Sequence, residues 1–197
     1  MKNIKVYGKL AIICLLSVSS VMAQTDSSGI YKTVSDFQQK KLSYAINYKT
    51  ENHKINDDVL FNNNEIIVKH KGEKFKLDEN STYGYKNTKG EVFRFVDAKE
   101  SLLLNPTQPI FIYSYKHPKV SNKGLIGYIT DYLYSVNAPS IPQPLAKNNL
   151  KASFPNNYKF HDLLDENFKS NDDLSMYDSF HNMYKINHLM MDLKRTN

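Results

Sequence analysis

The chain has no tryptophan and a single cysteine, Cys14, in 197 residues. A lone cysteine excludes an intrachain disulfide framework and a paired-cysteine metal site. Seven glycines and seven prolines are too few for a collagen-like or linker-like chain. The glycines do not cluster, so there is no phosphate-cradling loop, and no Gly-x-Ser-x-Gly elbow occurs. Arginine is scarce, with only Arg94 and Arg195, and the lysines are interleaved with acids. That pattern excludes a nucleic-acid footprint, which needs clustered basic residues. What remains is ordinary for a folded protein. Hydrophobic residues at 41% and charged residues at 23% exclude a disordered chain, and the length suits one domain.

The one long apolar run is at the start. Lys2, Lys5 and Lys9 precede Leu10 to Val21, and Val21-Met22-Ala23 presents small residues for cleavage. A membrane-crossing helix needs roughly 20 apolar residues, and this run is shorter and holds three serines. Residues 1–23 therefore read as a secretory signal peptide, with no membrane span once it is removed. Three lysines leave with it and no acid does, so the net charge of +6 falls to +3. Cys14 leaves too, and the mature chain has no thiol chemistry. Localisation is expected to be periplasmic or extracellular.

Residues 24–29 are polar and read as a flexible leader. Residues 30–137 carry mostly strand patterns. Ser43 to Tyr48 alternates, with Tyr44, Ile46 and Tyr48 on one face. Glu65 to His70 and Lys74 to Leu77 flank Lys71-Gly72-Glu73, a hairpin signal. Thr82 to Lys86 and Glu91 to Val96 flank Asn87-Thr88-Lys89-Gly90, another. Ile110 to Tyr115 and Leu125 to Val136 are β-branched and aromatic. Pro106, Pro109 and Pro118 are placed between runs, where strands should stop. Pro139, Pro142 and Pro144 mark a boundary, after which residues 145–195 show helical spacing. A helix is expected over Lys147 to Phe154, ended by Pro155. A second is expected over Tyr158 to Phe168, capped by Asn156 or Asn157. A third is expected over Asp172 to Arg195, capped by Asn171 or Asp172. In that last segment Met176, Tyr177, Phe180, Met183, Tyr184, Met190 and Met191 form one apolar stripe on a helical wheel, which needs a sheet to cover it. The fold class that follows is α+β: an N-terminal antiparallel β-sheet packed against a C-terminal tail of about three helices, in a single domain over residues 30–197.

Several short motifs support a resemblance. They are Gly29-Ile30-Tyr31-Lys32-Thr33 with Asp36-Phe37, and Tyr83-Gly84-Tyr85 with Phe93-Arg94-Phe95. The tail adds Asn149-Leu150, Phe154-Pro155, Lys159-Phe160-His161-Asp162, Tyr177-Asp178 and Tyr184-Lys185-Ile186-Asn187. On these residues the sequence resembles a family of uncharacterised secreted proteins from Bacteroidetes. The resemblance spans nearly the whole mature chain and implies export from a Gram-negative cell. It carries no activity, cofactor or catalytic residue.

Two groups of residues could carry chemistry. In the tail, His161, Asp178 and His181 are candidates for acid–base work, and His181 with His188, two helical turns apart, for metal ligation. Informative zinc spacings such as His-Glu-x-x-His are absent. The bland alternative is half-exposed histidines at the edge of the stripe. The second group is tyrosine, of which the mature chain keeps 13 of 14. Tyr83, Tyr85, Tyr128 and Tyr132 are candidates for a surface that stacks on a ligand or partner, against the alternative of a core face. Arg94, between Phe93 and Phe95 and pointing away from them, could clamp a carboxylate, against the favoured alternative of a buried structural ion pair or simple exposure. No cofactor is implied. The reading favoured by the residues is a non-enzymatic exported module that binds an envelope protein or a glycan. The alternative is a small periplasmic metal-dependent hydrolase.

Overall fold

The computed structural model describes residues 27–51, 54–57, 65–97, 99–120, 124 and 126–195. The expected signal peptide, residues 1–23, lies outside them. In chain order the elements are β1 (Ser27–Tyr31), α1 (Val34–Gln38), β2 (Ser43–Asn47), β3 (Lys54–Asp57), β4 (Glu65–His70), β5 (Glu73–Asp78), β6 (Gly84–Lys86), β7 (Val92–Val96), β8 (Lys99–Leu103), β9 (Phe111–Val120), β10 (Ile126–Ser135), β11 (Gln143–Pro144), α2 (Lys147–Ser153), α3 (Tyr158–Asn167), β12 (Tyr177–Asp178), β13 (Met183–Tyr184) and α4 (Lys185–Arg195). Eight strands make one antiparallel sheet in the order β11-β10-β9-β8-β7-β6-β1-β2, and β3-β4-β5 make a second, smaller sheet. The protein is a sheet-rich α+β fold whose helices are mostly C-terminal.

Register decides the layers. Phe93 opposes Tyr85 and Leu102, and Leu102 opposes Ser114. Side chains alternate along a strand, so Tyr85, Phe93, Phe95, Ile112 and Ile110 share one face of the large sheet. At one end of that face, Ile30, Tyr85 and Phe95 pack with Ile66 and Val68 of the small sheet. At the other end, Ile110, Ile112 and Tyr134 pack with Leu150, Phe160, Leu164, Ile186, Met190 and Leu193 of α2, α3 and α4. Each of these large apolar side chains contributes roughly 1.5–3 kcal/mol when fully buried. The opposite face carries Tyr31, Arg94 and Tyr113. Phe37 of the short α1, held by a Thr33–Asp36 capping box, stacks there on Tyr83 at 5.0 Å.

Several expectations change. The last residues of the polar leader, Ser27 to Gly29, belong to β1, which lies inside the sheet between β6 and β2; Ser28 is fully buried. Main-chain pairing on both sides orders a segment whose side chains carry no hydrophobic signal. Pro118 does not end a strand but sits within β9, opposite Tyr128. The β8–β9 ladder stops at Ser114, so β9 has a free edge there and the missing N–H costs nothing. The proline-rich boundary supplies β11, which pairs with the end of β10.

The largest correction concerns Asp172 to Arg195, which is not one helix. It forms a 3-10 turn, the β12–β13 hairpin, and only then α4. Asp178 Oδ1 accepts hydrogen bonds from the backbone N–H of Phe180 (2.9 Å) and His181 (3.2 Å), and Asn182 takes a left-handed conformation at φ +53°. Side chains of this kind offer the backbone a turn in competition with a helix. The expected stripe is therefore split. Met176, Tyr177 and Phe180 are exposed, Phe180 by 85%; Met183, Tyr184 and Met191 are half-buried, and Met190 is buried together with Ile186 and Leu193, which lie outside the expected stripe.

Candidate functional site

The β9–β10 hairpin is the longest pairing in the large sheet, running from Ser135↔Phe111 to Ile126↔Val120. The β8 pairing reaches only Tyr113 and Ser114 of β9. The distal half of the hairpin is thus a two-stranded arm. Register places Val120, Pro118 and Lys116 opposite Ile126, Tyr128 and Thr130 on one face of it. Val120, Ile126 and Tyr128 are all more than 60% exposed, and the Lys116 ammonium lies 5.2 Å from the Tyr128 ring. Tyr132, further down the same face, is exposed at its rim.

The other face of the arm lines a cleft of about 370 Å³ with Val96, Asp97, Lys99, Tyr115, His117, Asp131, Leu133, Pro142 and Pro144. Its wall has a defined arrangement. Tyr115 and His117, two residues apart on β9, stack at 5.0 Å. His117 Nε2 is 2.9 Å from Asp131 Oδ2 across the ladder. The Lys99 ammonium sits 5.6 Å from the Tyr115 ring. A ring face, an imidazole–carboxylate pair and an ammonium converge on one concavity. Sequence reasoning misses all four residues. The alternation Tyr113, Tyr115, His117 is a signal, but Asp131 becomes a partner only through the hairpin register.

The proposed tyrosines part company. Tyr128 and Tyr132 reach the surface. Tyr85 does not: it is 8% exposed, packs on Phe93 and Phe95, and bonds through its hydroxyl to Glu100. Tyr83, which precedes β6 (Gly84–Lys86), packs on the opposite side from Tyr85, with Arg94 and Phe37. Burial pushes the Tyr83 hydroxyl well above the ordinary phenol range, with Tyr113 adding to the effect and Arg94 opposing it. Arg94 is neither exposed nor clamped on a carboxylate among the ion pairs of the described residues. It is 7% exposed, lies over the Tyr83 ring at 4.7 Å and donates to the Tyr113 hydroxyl at 3.1 Å. Tyr85 and Arg94 are buried, and Tyr83 is half-buried.

In the tail, His161 Nε2 is 2.9 Å from the Phe154 carbonyl and 3.1 Å from that of Lys151. Both are acceptors, so this nitrogen carries its proton and ties α3 to the end of α2. It is spent on structure. Asp178, His181 and His188, by contrast, form a cluster. His181 Nδ1 is 2.7 Å from Asp178 Oδ2, and the His181 and His188 rings stack at 3.7 Å with 23° between their planes. One ligand atom from each of the three lies within 4.8 Å of the others. The hydrogen bond from His181 holds the Asp178 carboxyl below its usual range. Asp192 lies 3.4 Å from His188 Nε2, one turn along α4.

No family model matches the chain, and neither a curated protein nor a solved structure matches it. Among the described residues no helix is long and apolar enough to cross a membrane.

Proposed function

We propose that this is an exported, non-enzymatic binding module of the cell envelope and that its ligand is a glycan held on the β9–β10 arm. One observation carries the reading: the arm extends past the pairing with β8, with one face exposed at Val120, Ile126 and Tyr128 and the other lining the cleft. A sugar needs a ring face to lie on and hydrogen-bonding groups around its hydroxyls. The cleft side offers the His117–Asp131 pair and Lys99 as hydrogen-bonding groups, and the outer side offers the Tyr128 ring, 67% exposed, beside Lys116. A protein partner is the other candidate occupant. The interleaving of lysine with the exposed aromatics favours the polar ligand, since protein interfaces lose lysine at their centre. Export rests on the basic start, the apolar run and the small residues before Gln24.

A hydrolase built on His161, Asp178 and His181 has less support, because His161 Nε2 is tied to two backbone carbonyls.

The test is co-sedimentation of the purified protein with insoluble envelope polysaccharide, followed by calorimetry with soluble fragments. Asp131→Asn and Tyr128→Ala are surface changes that should alter stability by less than about 0.5 kcal/mol. Asp131→Asn is expected to weaken binding at least tenfold, with a smaller loss for Tyr128→Ala. Wild-type affinity in both variants, or retention by envelope proteins and not by polysaccharide, would overturn the reading.

A further inference from the structure

The β12–β13 hairpin folds back over the start of α4. Its return is fixed locally, by the Asp178 turn and by the bond from Lys185 N–H to the Met176 carbonyl at 3.0 Å. The fold-back brings Asp178 and His181, which precede α4, to His188 in the first half of that helix. We propose that Asp178, His181 and His188 form a binding site for one divalent transition-metal ion of the zinc class. This goes beyond glycan binding and does not depend on it.

The donor geometry comes first. Asp178 Oδ1 already accepts the two turn N–H groups. That leaves Oδ2 directed at the His181 ring, 2.7 Å from Nδ1. A metal with bonds of about 2.0–2.2 Å places neighbouring tetrahedral ligand atoms roughly 3.3 Å apart. The Asp178–His181 pair, joined by a hydrogen bond at 2.7 Å, opens by roughly 0.6 Å to reach that bite, and the metal takes the place of the bridging proton, which leaves to solvent. The three donors together span up to 4.8 Å, so the site closes by roughly 1.5 Å to reach the tetrahedral spacing, within reach of side-chain torsions. The side chains of His181 and His188 are 37% and 30% exposed. They are free to make that adjustment and leave a coordination position open to solvent.

Charge points the same way. The two imidazoles stack at 3.7 Å. Two carboxylates border them, Asp178 at His181 and Asp192 at His188. The nearby cations are directed elsewhere: Lys185 reaches the Met176 sulfur at 3.9 Å, and Arg195 lies on the outer side of Asp192 at 3.9 Å, itself 73% exposed. The two carboxylates give the cluster negative charge that a divalent cation balances. Asp192 backs His188 in the way that carboxylates orient and strengthen histidine ligands.

Ligand type sets the metal. Two imidazoles and a carboxylate suit zinc, copper(II) or nickel; magnesium and calcium prefer all-oxygen sites. The spacing Asp-x2-His-x6-His-x3-Asp matches none of the usual helical zinc motifs, because a turn and a helix supply the ligands.

The experiment uses the purified chain, stripped of metal and titrated with zinc chloride in a non-coordinating buffer. One zinc per chain is expected, together with a higher melting temperature. Cobalt(II) should give visible absorption bands of a low-coordinate site. His181→Ala, His188→Ala and Asp178→Asn should each weaken zinc binding about tenfold or more. His117→Ala, which removes the other imidazole–carboxylate pair, should leave it unchanged. His181 lies in an exposed turn, so its variant should fold, and circular dichroism checks this. The proposal fails if zinc binding is not saturable at one per chain, if His181→Ala binds zinc as the wild type does, or if magnesium binds equally well.

Discussion

Asn187 is the residue on which the docking of α4 can be tested most sharply. It is fully buried, and its amide grips the backbone of Ile110 at two points. Oδ1 accepts the Ile110 N–H at 2.7 Å, and Nδ2 donates to the Ile110 carbonyl at 3.0 Å. The segment between β8 and β9 contains Pro106 and Pro109, so strand pairing lapses there. Side chains stand in for a neighbouring strand: Asn105 also donates to the Ile110 carbonyl, at 2.7 Å, and accepts from Ile112 N–H at 2.6 Å. Asn187→Ala would leave the Ile110 N–H buried without a partner, at a cost of about 1–3 kcal/mol. Its carbonyl would keep Asn105 and lose only one bond, worth roughly 0.5–1.5 kcal/mol. The sum is about 1.5–4.5 kcal/mol. At about 2–4 °C per kcal/mol for a domain of this size, the melting temperature should fall by roughly 3–18 °C.

Asn187→Asp separates the hydrogen bonds from the volume. The introduced carboxylate can still accept from Ile110 N–H, but its second oxygen now faces the Ile110 carbonyl. At neutral pH this should cost more than alanine. Protonation restores a donor, so the folded-state pKa of the introduced carboxyl would be raised above its unfolded value of about 3.9. A raised value means that the restored stability is present at low pH and lost as pH rises through the folded pKa. Urea denaturation at about pH 7 and about pH 4, on either side of that raised value, reads this directly. A loss below about 0.5 kcal/mol for the alanine variant, within the range of ordinary surface changes, or an aspartate–alanine gap that does not change with pH, would refute the clamp.

Gly84→Ala should prevent folding or cost about 4 kcal/mol or more, because a Cβ there would stand 2.0 Å from the Phe93 carbonyl oxygen of β7; soluble yield and a thermal melt would show it. Stability should decline above about pH 10, where unfolded tyrosine ionises, because burial raises the folded-state values of Tyr31, Tyr83, Tyr134 and Tyr184. The stability carried by these groups is whole below that pH and is lost as pH climbs toward the folded values. Tyr83→Phe should flatten the decline without loss at neutral pH, since the Tyr83 hydroxyl is buried without a hydrogen-bond partner among the described residues.

Much of the fold is legible where one local signal dominates. The hairpin of β4 and β5 follows from Lys71-Gly72, with both residues at positive φ, as turns of that kind require. Helix α3 begins at Tyr158 because Asn157 accepts from Phe160 N–H. The illegible parts are those that tertiary pairing decides. β1 is polar at its start and still central, because β2 and β6 bond to its main chain. β8, Lys-Glu-Ser-Leu-Leu, does not alternate clearly, since Leu102 and Leu103 face opposite sides of a sheet covered on both.

The two sites escape the sequence for different physical reasons. The Asp178–His181–His188 cluster is visible as residues and lost as geometry. One continuous helix over Asp172 to Arg195 would set His181 and His188 two turns apart on one face, whereas the Asx turn at Asp178 and the left-handed Asn182 fold the segment back and stack the rings. The information is local: Asp178 and Asn182 bracket the turn, and their preference for it outweighs a helical stripe that exposed residues such as Phe180 gain nothing by forming. The cleft on the β9–β10 arm is the opposite case. His117 and Asp131 meet because the hairpin pairs Ile129 with His117 and Asp131 with Tyr115. A shift of one residue in that register would move Asp131 to the other face. The residues of the arm itself do not specify the register. It is set where the strands enter the core, by Ile112 and Tyr134 packing against the helices, so the chemistry of the arm is fixed by burial at its far end.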